Sequence, residues 1–181
     1  MKRNPARKRG QLMSQPFVYI FALIMGGLIL VWGVKITIDF LGMANKAELG
    51  KLVKNIESET KSFMNQGEGS TKPITLMLPK SITHFCIADI DNSVPACKIK
   101  PKTGTVVNCN NLEDYETLNA LVKLAPSTSK KNVFALPFAK AGLNNGKFRI
   151  EGIKPTGANP LCFANGAILR LTAKAGYTEA S

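Results

Sequence analysis

From position 16 to 34 the chain reads PFVYIFALIMGGLILVWGV, and no charged side chain occurs anywhere from 10 to 34. A helix rises about 1.5 Å per residue, so this run reaches roughly 28 Å, close to the thickness of a bilayer's hydrocarbon core. Residues 36–38 extend the span if the Lys35 ammonium snorkels to the interface. A helix buried in a soluble protein shows polar positions every third or fourth residue. Here only Tyr19 and Trp32 interrupt the run, near its ends, where interfacial rings are favoured. A cleaved secretory signal has an apolar region of about 7 to 15 residues followed by a small-x-small site. This run is longer, and the KITIDFLG that follows it offers no such site. The expectation is a membrane-spanning helix over 16–38.

The helical pattern then continues with a different purpose. Ile38, Leu41, Leu49, Leu52, Ile56 and Phe63 fall on one stripe, surrounded mostly by Lys46, Glu48, Lys51, Lys54, Glu57, Glu59 and Lys61. Glu57 and Lys61 form a favourable pair one turn apart. This predicts an amphipathic stalk helix over 39–66, its stripe lying on its own domain or forming a seam with other helices. Gly67-Glu68-Gly69-Ser70 breaks the pattern, so 67–71 reads as a hinge.

From 72 onward the period shortens. ITLMLP (74–79), THFCIADI (83–90), ACKIK (96–100), TVVNC (105–109), NVFALPF (132–138), KFRIEGI (147–153) and AILRLTAKA (167–175) are short β-branched or alternating runs separated by turn residues. LEDYETLNALVKL (112–124) is the exception and predicts a helix capped by Asn111, with Leu112, Tyr115, Leu118, Leu121 and Val122 on its inner face. The fold class is therefore α+β. An N-terminal helix leads into a small antiparallel β domain over 72–181, a sheet or sandwich with one packed helix.

Charge refines this picture. The chain carries a net +12, but Lys2, Arg3, Arg7, Lys8 and Arg9 crowd the first nine residues and Lys35 follows the apolar run. Cytoplasmic flanks collect Lys and Arg, so the tail 1–15 is expected inside the cell and the C-terminal domain outside. The remaining eighteen basic residues against twelve acidic ones describe a solvated, mildly basic surface, with no specific nucleic-acid partner implied. The partner implied is the lipid bilayer, with self-association or other envelope proteins in addition.

Arg7-Lys8-Arg9-Gly10-Gln11-Leu12-Met13-Ser14-Gln15, set just before the apolar run, resembles the leader of archaeal type IV pilin-like proteins. That resemblance implies a peptidase cut on the cytoplasmic side after Gly10, leaving Gln11 as the new N-terminus, with the apolar segment kept as the core of a long helix. Gln15 stands where that class carries an acidic residue. The N-terminal half is also similar to small single-pass proteins of archaeal cell envelopes.

All four cysteines, Cys86, Cys97, Cys109 and Cys162, lie on the side expected outside, where an even count predicts disulfides. If Lys102-Thr103-Gly104 is a three-residue hairpin loop with Gly104 in the left-handed position, Cys97 stands opposite Cys109, which leaves Cys86 to pair with Cys162. Zinc sites usually draw on C-x2-4-C pairs, and the gaps here are far wider.

Catalytic chemistry is sparse. His84 is the single histidine and so forms neither a metal cluster nor a triad. Asp89 and Asp91 would share one face of a strand, but Asn92 and Ser93 after them favour a turn. The loop 142–146 lacks the strand-to-helix context of a phosphate cradle. No cofactor, no metal and no enzymatic activity is expected. The leading expectation is a membrane-anchored envelope protein presenting a disulfide-stapled β domain in a structural or interaction role. A pilin-like subunit comes second. A membrane-tethered enzyme or ligand binder comes third, and it requires a concave polar pocket containing Asp89, Asp91 or His84.

Overall fold

A computed structural model describes residues 15–92, 96–128 and 130–181. The first helix, α1, runs Gln15–Met64, and the chain divides into two compact units between Gly42 and Met43. In the first unit every residue from 16 to 40 is exposed. The basic residues Arg7, Lys8 and Arg9 and the pair Gly10 and Gln11 lie outside the described residues.

The second unit is α+β. Among the described residues it holds ten strands: β1 Thr71–Thr75, β2 His84–Ile87, β3 Lys98–Lys100, β4 Val107–Asn108, β5 Val133–Leu136, β6 Lys147–Phe148, β7 Ile153–Pro155, β8 Leu161–Ala164, β9 Ile168–Lys174 and β10 Tyr177–Ala180. Two further helices are α2, Tyr115–Thr128, and α3, Phe138–Ala141. The strands form a four-stranded sheet in the order β1-β9-β10-β7 and a six-stranded sheet in the order β4-β3-β8-β2-β5-β6.

Both sheets are mixed, which corrects the antiparallel expectation: β3 runs parallel to β8, and β7 parallel to β10. Parallel neighbours need a crossover of a dozen or more residues. The long excursion from Lys100 to Leu161 supplies one, carrying β4, α2, β5, α3, β6 and β7 between the two strands.

The centre of the larger sheet is covered on both faces. Phe85 and Ile87 of β2, Val133 and Ala135 of β5, and Leu161 and Phe163 of β8 enter one core with Leu169 and Leu171 of β9. Cys86, Phe134, Leu136 and Cys162 turn the other way and pack with Leu118 and Val122 of α2. Strands buried on both faces read as continuous apolar runs rather than alternations. That is why LCFA in β8 carries no strand period and was absent from the expected elements. β10 was also absent. It alternates buried and half-buried positions but spans only four residues after Gly176.

Residues 43–64 of α1 belong to this unit, so of the two alternatives for the stalk's stripe the structure has it lying on its own domain. Leu49, Val53, Ile56 and Phe63 are buried, and Leu49, Val53 and Ile56 join the core of Phe85 and Leu171. The hinge expected over 67–71 is a tied turn. The Gly69 N–H donates to the Ala173 carbonyl at 3.0 Å, and the Ala173 N–H donates to the Ser70 carbonyl at 2.9 Å. Thr71 then starts β1 directly.

α2 begins three residues later than expected. Asn111 closes a 3-10 turn, Cys109–Asn111, and Asp114 adopts a positive φ of 65° before the helix. The Asp114 carboxylate accepts from the Phe138 N–H at 2.8 Å, so it caps α3 rather than α2. The inner face of α2 is as expected, with Leu118 and Val122 buried and Tyr115 and Leu121 partly so, and Leu112 is buried in the turn ahead of the helix.

Candidate functional site

Three places carry chemistry. The first is the apolar segment of α1, which is long and apolar enough to cross a membrane and is unburied throughout. Phe17, Leu23 and Trp32 are each at least 70% exposed. Soluble monomers rarely show a contiguous apolar patch beyond a few hundred Å², so this surface needs lipid or protein against it. Its polar interruptions suit hydrocarbon. The Thr37 hydroxyl donates to the Gly33 carbonyl one turn back at 2.8 Å, and the hydroxyl is thereby satisfied within the helix. Trp32 lies near the C-terminal end of the apolar run, and Lys35 follows it directly.

The second is a cluster of sulfurs. Cys86 and Cys162 are partners in register across β2 and β8, with Cα atoms 3.9 Å apart, and are joined by a disulfide. Cys97 is bonded to Cys109 with Cα atoms 5.6 Å apart. The β3–β4 register pairs Lys98 with Asn108 and Ile99 with Val107, which sets Cys97 opposite Cys109. Gly104 has a φ of 103° in the loop between them, a conformation that favours glycine. Two disulfides in one small domain fit an oxidising, extracytoplasmic compartment. What the cysteine spacing did not reveal is that the bridges adjoin. The sulfurs of Cys97, Cys109 and Cys162 lie within 4.8 Å of one another, all buried. Thiolates so placed could hold a metal, but each of these sulfurs is bonded to another sulfur.

The third is a cleft of roughly 200 Å³ between 88–91 and 149–154, with Lys130 and Asn132 on its wall. It contains Asp89 and Asp91, while His84 lies outside it. The two carboxylates do not share a strand face, because β2 ends at Ile87 and the chain turns. The Asp91 N–H donates to the Asp89 carboxylate at 3.0 Å, and the Asp89 N–H donates to the Asn159 side-chain oxygen at 2.9 Å. The Asn159 amide closes the turn by donating to the carbonyls of Asp89 and Asn92.

The cation that such a carboxylate pair attracts is supplied by the protein. The Lys154 ammonium lies 2.9 Å from Asp91 and 3.6 Å from Asp89. Its hydrogen bond to Asp91 raises its pKa above the usual lysine value, burial opposes the rise, and the Asp89 charge adds to it. Arg149 likewise faces Glu151 at 3.4 Å. The cleft is concave and polar, but the carboxylates of Asp89, Asp91 and Glu151 are engaged with Lys154 and Arg149.

His84 sits at the start of β2, half-buried. Its Nδ1 is 3.0 Å from the Thr83 hydroxyl, which donates to the Leu136 carbonyl at 3.2 Å. Burial pushes the imidazole pKa below its usual 6.5. No family model, no curated protein and no solved structure matches this chain.

Proposed function

We propose that this chain is a single-pass membrane protein that keeps residues 1–15 inside the cell and presents its disulfide-stapled domain outside, in a structural or interaction role rather than a catalytic one. The observation that carries the reading is the unburied apolar surface from 16 to 34, which no charged side chain interrupts. Two neighbouring facts support the orientation. Five basic residues precede the segment with no acidic residue among them, and both disulfides follow it.

Membrane fractionation with alkaline extraction tests the anchor, and protease treatment of intact against permeabilised cells tests the orientation. The protein should stay in the pelleted membranes, and the domain should be cut from outside. Recovery of monomeric full-length protein in the detergent-free supernatant sinks the proposal.

A second reading, a pilin-like subunit, is favoured by the course of α1. One helix of 50 residues carries the apolar segment and then contributes Leu49, Val53 and Ile56 to a domain core. The leader resemblance implies processing after Gly10. Mass spectrometry of the mature N-terminus distinguishes the two: a chain beginning at Gln11 supports the pilin-like subunit, and an intact leader removes it.

A further inference from the structure

We propose that the two disulfides form one exchange-coupled unit in which Cys162 is the shared sulfur, so that opening the Cys97–Cys109 bridge transfers the opening to Cys86 at the centre of the sheet. The proposal rests on where the folded chain puts four sulfurs. Cys86 and Cys162 join β2 to β8, the two middle strands of the six-stranded sheet. Cys97 and Cys109 flank the β3–β4 hairpin, and β3 lies on the other side of β8, with Ile99 paired to Cys162. The two bridges therefore meet on the same face of β8, in the core formed with α2. There the sulfur of Cys162 lies within 4.8 Å of both sulfurs of the neighbouring bridge.

Access is unequal. Cys86 and Cys162 are fully buried and Cys109 is 1% exposed, whereas Cys97 retains 8%. A thiol or dithiol from solvent thus meets the Cys97 sulfur first. Attack there forms a mixed disulfide with Cys97 and releases the Cys109 thiolate. Thiol–disulfide exchange proceeds by attack of a thiolate on a disulfide sulfur, with departure of the other sulfur as thiolate. The Cys109 thiolate attacks the Cys162 sulfur, a Cys109–Cys162 bond forms, the Cys86–Cys162 bond breaks, and the electron pair leaves on Cys86. The internal step involves no net oxidation or reduction. The proton of the attacking solvent thiol goes to solvent base, Cys109 leaves and reacts as the thiolate, and Cys86 takes up a proton from solvent.

Two features set this apart from ordinary scrambling. Cys86 is not among the three mutually close sulfurs, so every new bridge contains Cys162 and none joins Cys86 to Cys109 or to Cys97. The consequence is also structural, since a solvent reductant entering at the sheet's edge removes the staple between its two central strands.

The test uses the full-length chain in detergent micelles. A Cys97→Ala variant supplies a Cys109 thiol without added reductant. After incubation at mildly alkaline pH, acid quench, denaturation and alkylation, peptide mapping should find label on both Cys109 and Cys86 and a Cys109–Cys162 bridge. Label on Cys109 alone, with Cys86–Cys162 intact at all times, overturns the proposal. So does a Cys86–Cys109 bridge at comparable yield, which is the signature of an unfolded chain. To guard against a variant that does not fold, the wild-type chain is treated with limiting dithiothreitol and trapped in the same way. Its single-bridge species should include Cys162 joined to Cys97 or Cys109, and a population holding only the two original bridges refutes the coupling independently.

Discussion

The buried side chain of Asn132 holds Ile150 by both of its backbone groups: its Nδ2 donates to the Ile150 carbonyl at 2.8 Å, and its Oδ1 accepts from the Ile150 N–H at 2.9 Å. This explains why the run 147–153, expected as one strand, is split into β6 and β7. The amide takes the place of a ladder partner between them, and Ile150 is delivered to the core. Asn132→Ala leaves both groups buried and unpaired, and each such group costs about 1 to 3 kcal/mol. Denaturant unfolding of the full-length chain in micelles should show a loss of roughly 2 to 6 kcal/mol. A loss under about 1 kcal/mol contradicts this account.

The two bridges should contribute unequally to stability. Cys86–Cys162 spans 76 residues of sequence and Cys97–Cys109 spans 12. The loop-entropy cost of the unfolded chain grows as about 1.5RT times the logarithm of loop length, so the longer bridge should stabilise the fold by roughly 1.5 kcal/mol more. Comparing the double alanine variants by denaturant midpoint checks this. Equal midpoints, or a larger loss from the short bridge, refute it.

Acid should weaken the domain through His84. Because burial lowers its pKa in the folded state, the unfolded chain takes up a proton first as pH falls below 6.5. Stability from this group is therefore complete above 6.5, declines as pH drops, and levels off once the folded imidazole also protonates. In urea titrations at a series of pH values, His84→Gln should flatten the slope just below pH 6.5. An unchanged slope assigns the effect to other groups.

Gly146 and Gly104 offer a paired test of backbone freedom. Both have positive φ, 69° and 103°. A Cβ at 146 would run into the Ala135 carbonyl oxygen and lie 2.9 Å from the Ala141 Cβ, whereas at 104 it would meet open space. Gly104→Ala should cost about 1 kcal/mol, from conformation alone. Gly146→Ala should cost at least about 2 kcal/mol, because backbone must also move. Similar thermal midpoints for the two variants disprove the distinction.

Much of this was readable without coordinates. The helical stripe through Leu49, Ile56 and Phe63, the inner face of α2, the alternation of 167–175 and the hairpin register opposing Cys97 and Cys109 all follow from local periodicity or turn chemistry. These are interactions between residues close in sequence. β8 escaped notice because a strand covered on both faces has no period, and β7 because an asparagine side chain interrupts the run before it.

By itself, the order of residues determined that the chain has one apolar segment of bilayer length, that its N-terminal flank is basic, and that short strands and one amphipathic helix follow. Hydrophobicity, charge and period 2 or 3.6 act locally, so they can be read along a line. Only the tertiary structure decided that β3 runs parallel to β8, that the two disulfides adjoin, and that Lys154 pairs with Asp89 and Asp91 from 63 or more residues away. Each of these depends on which distant segments pack together, and that is set by how the two sheets and their helices share their cores rather than by any neighbour in sequence.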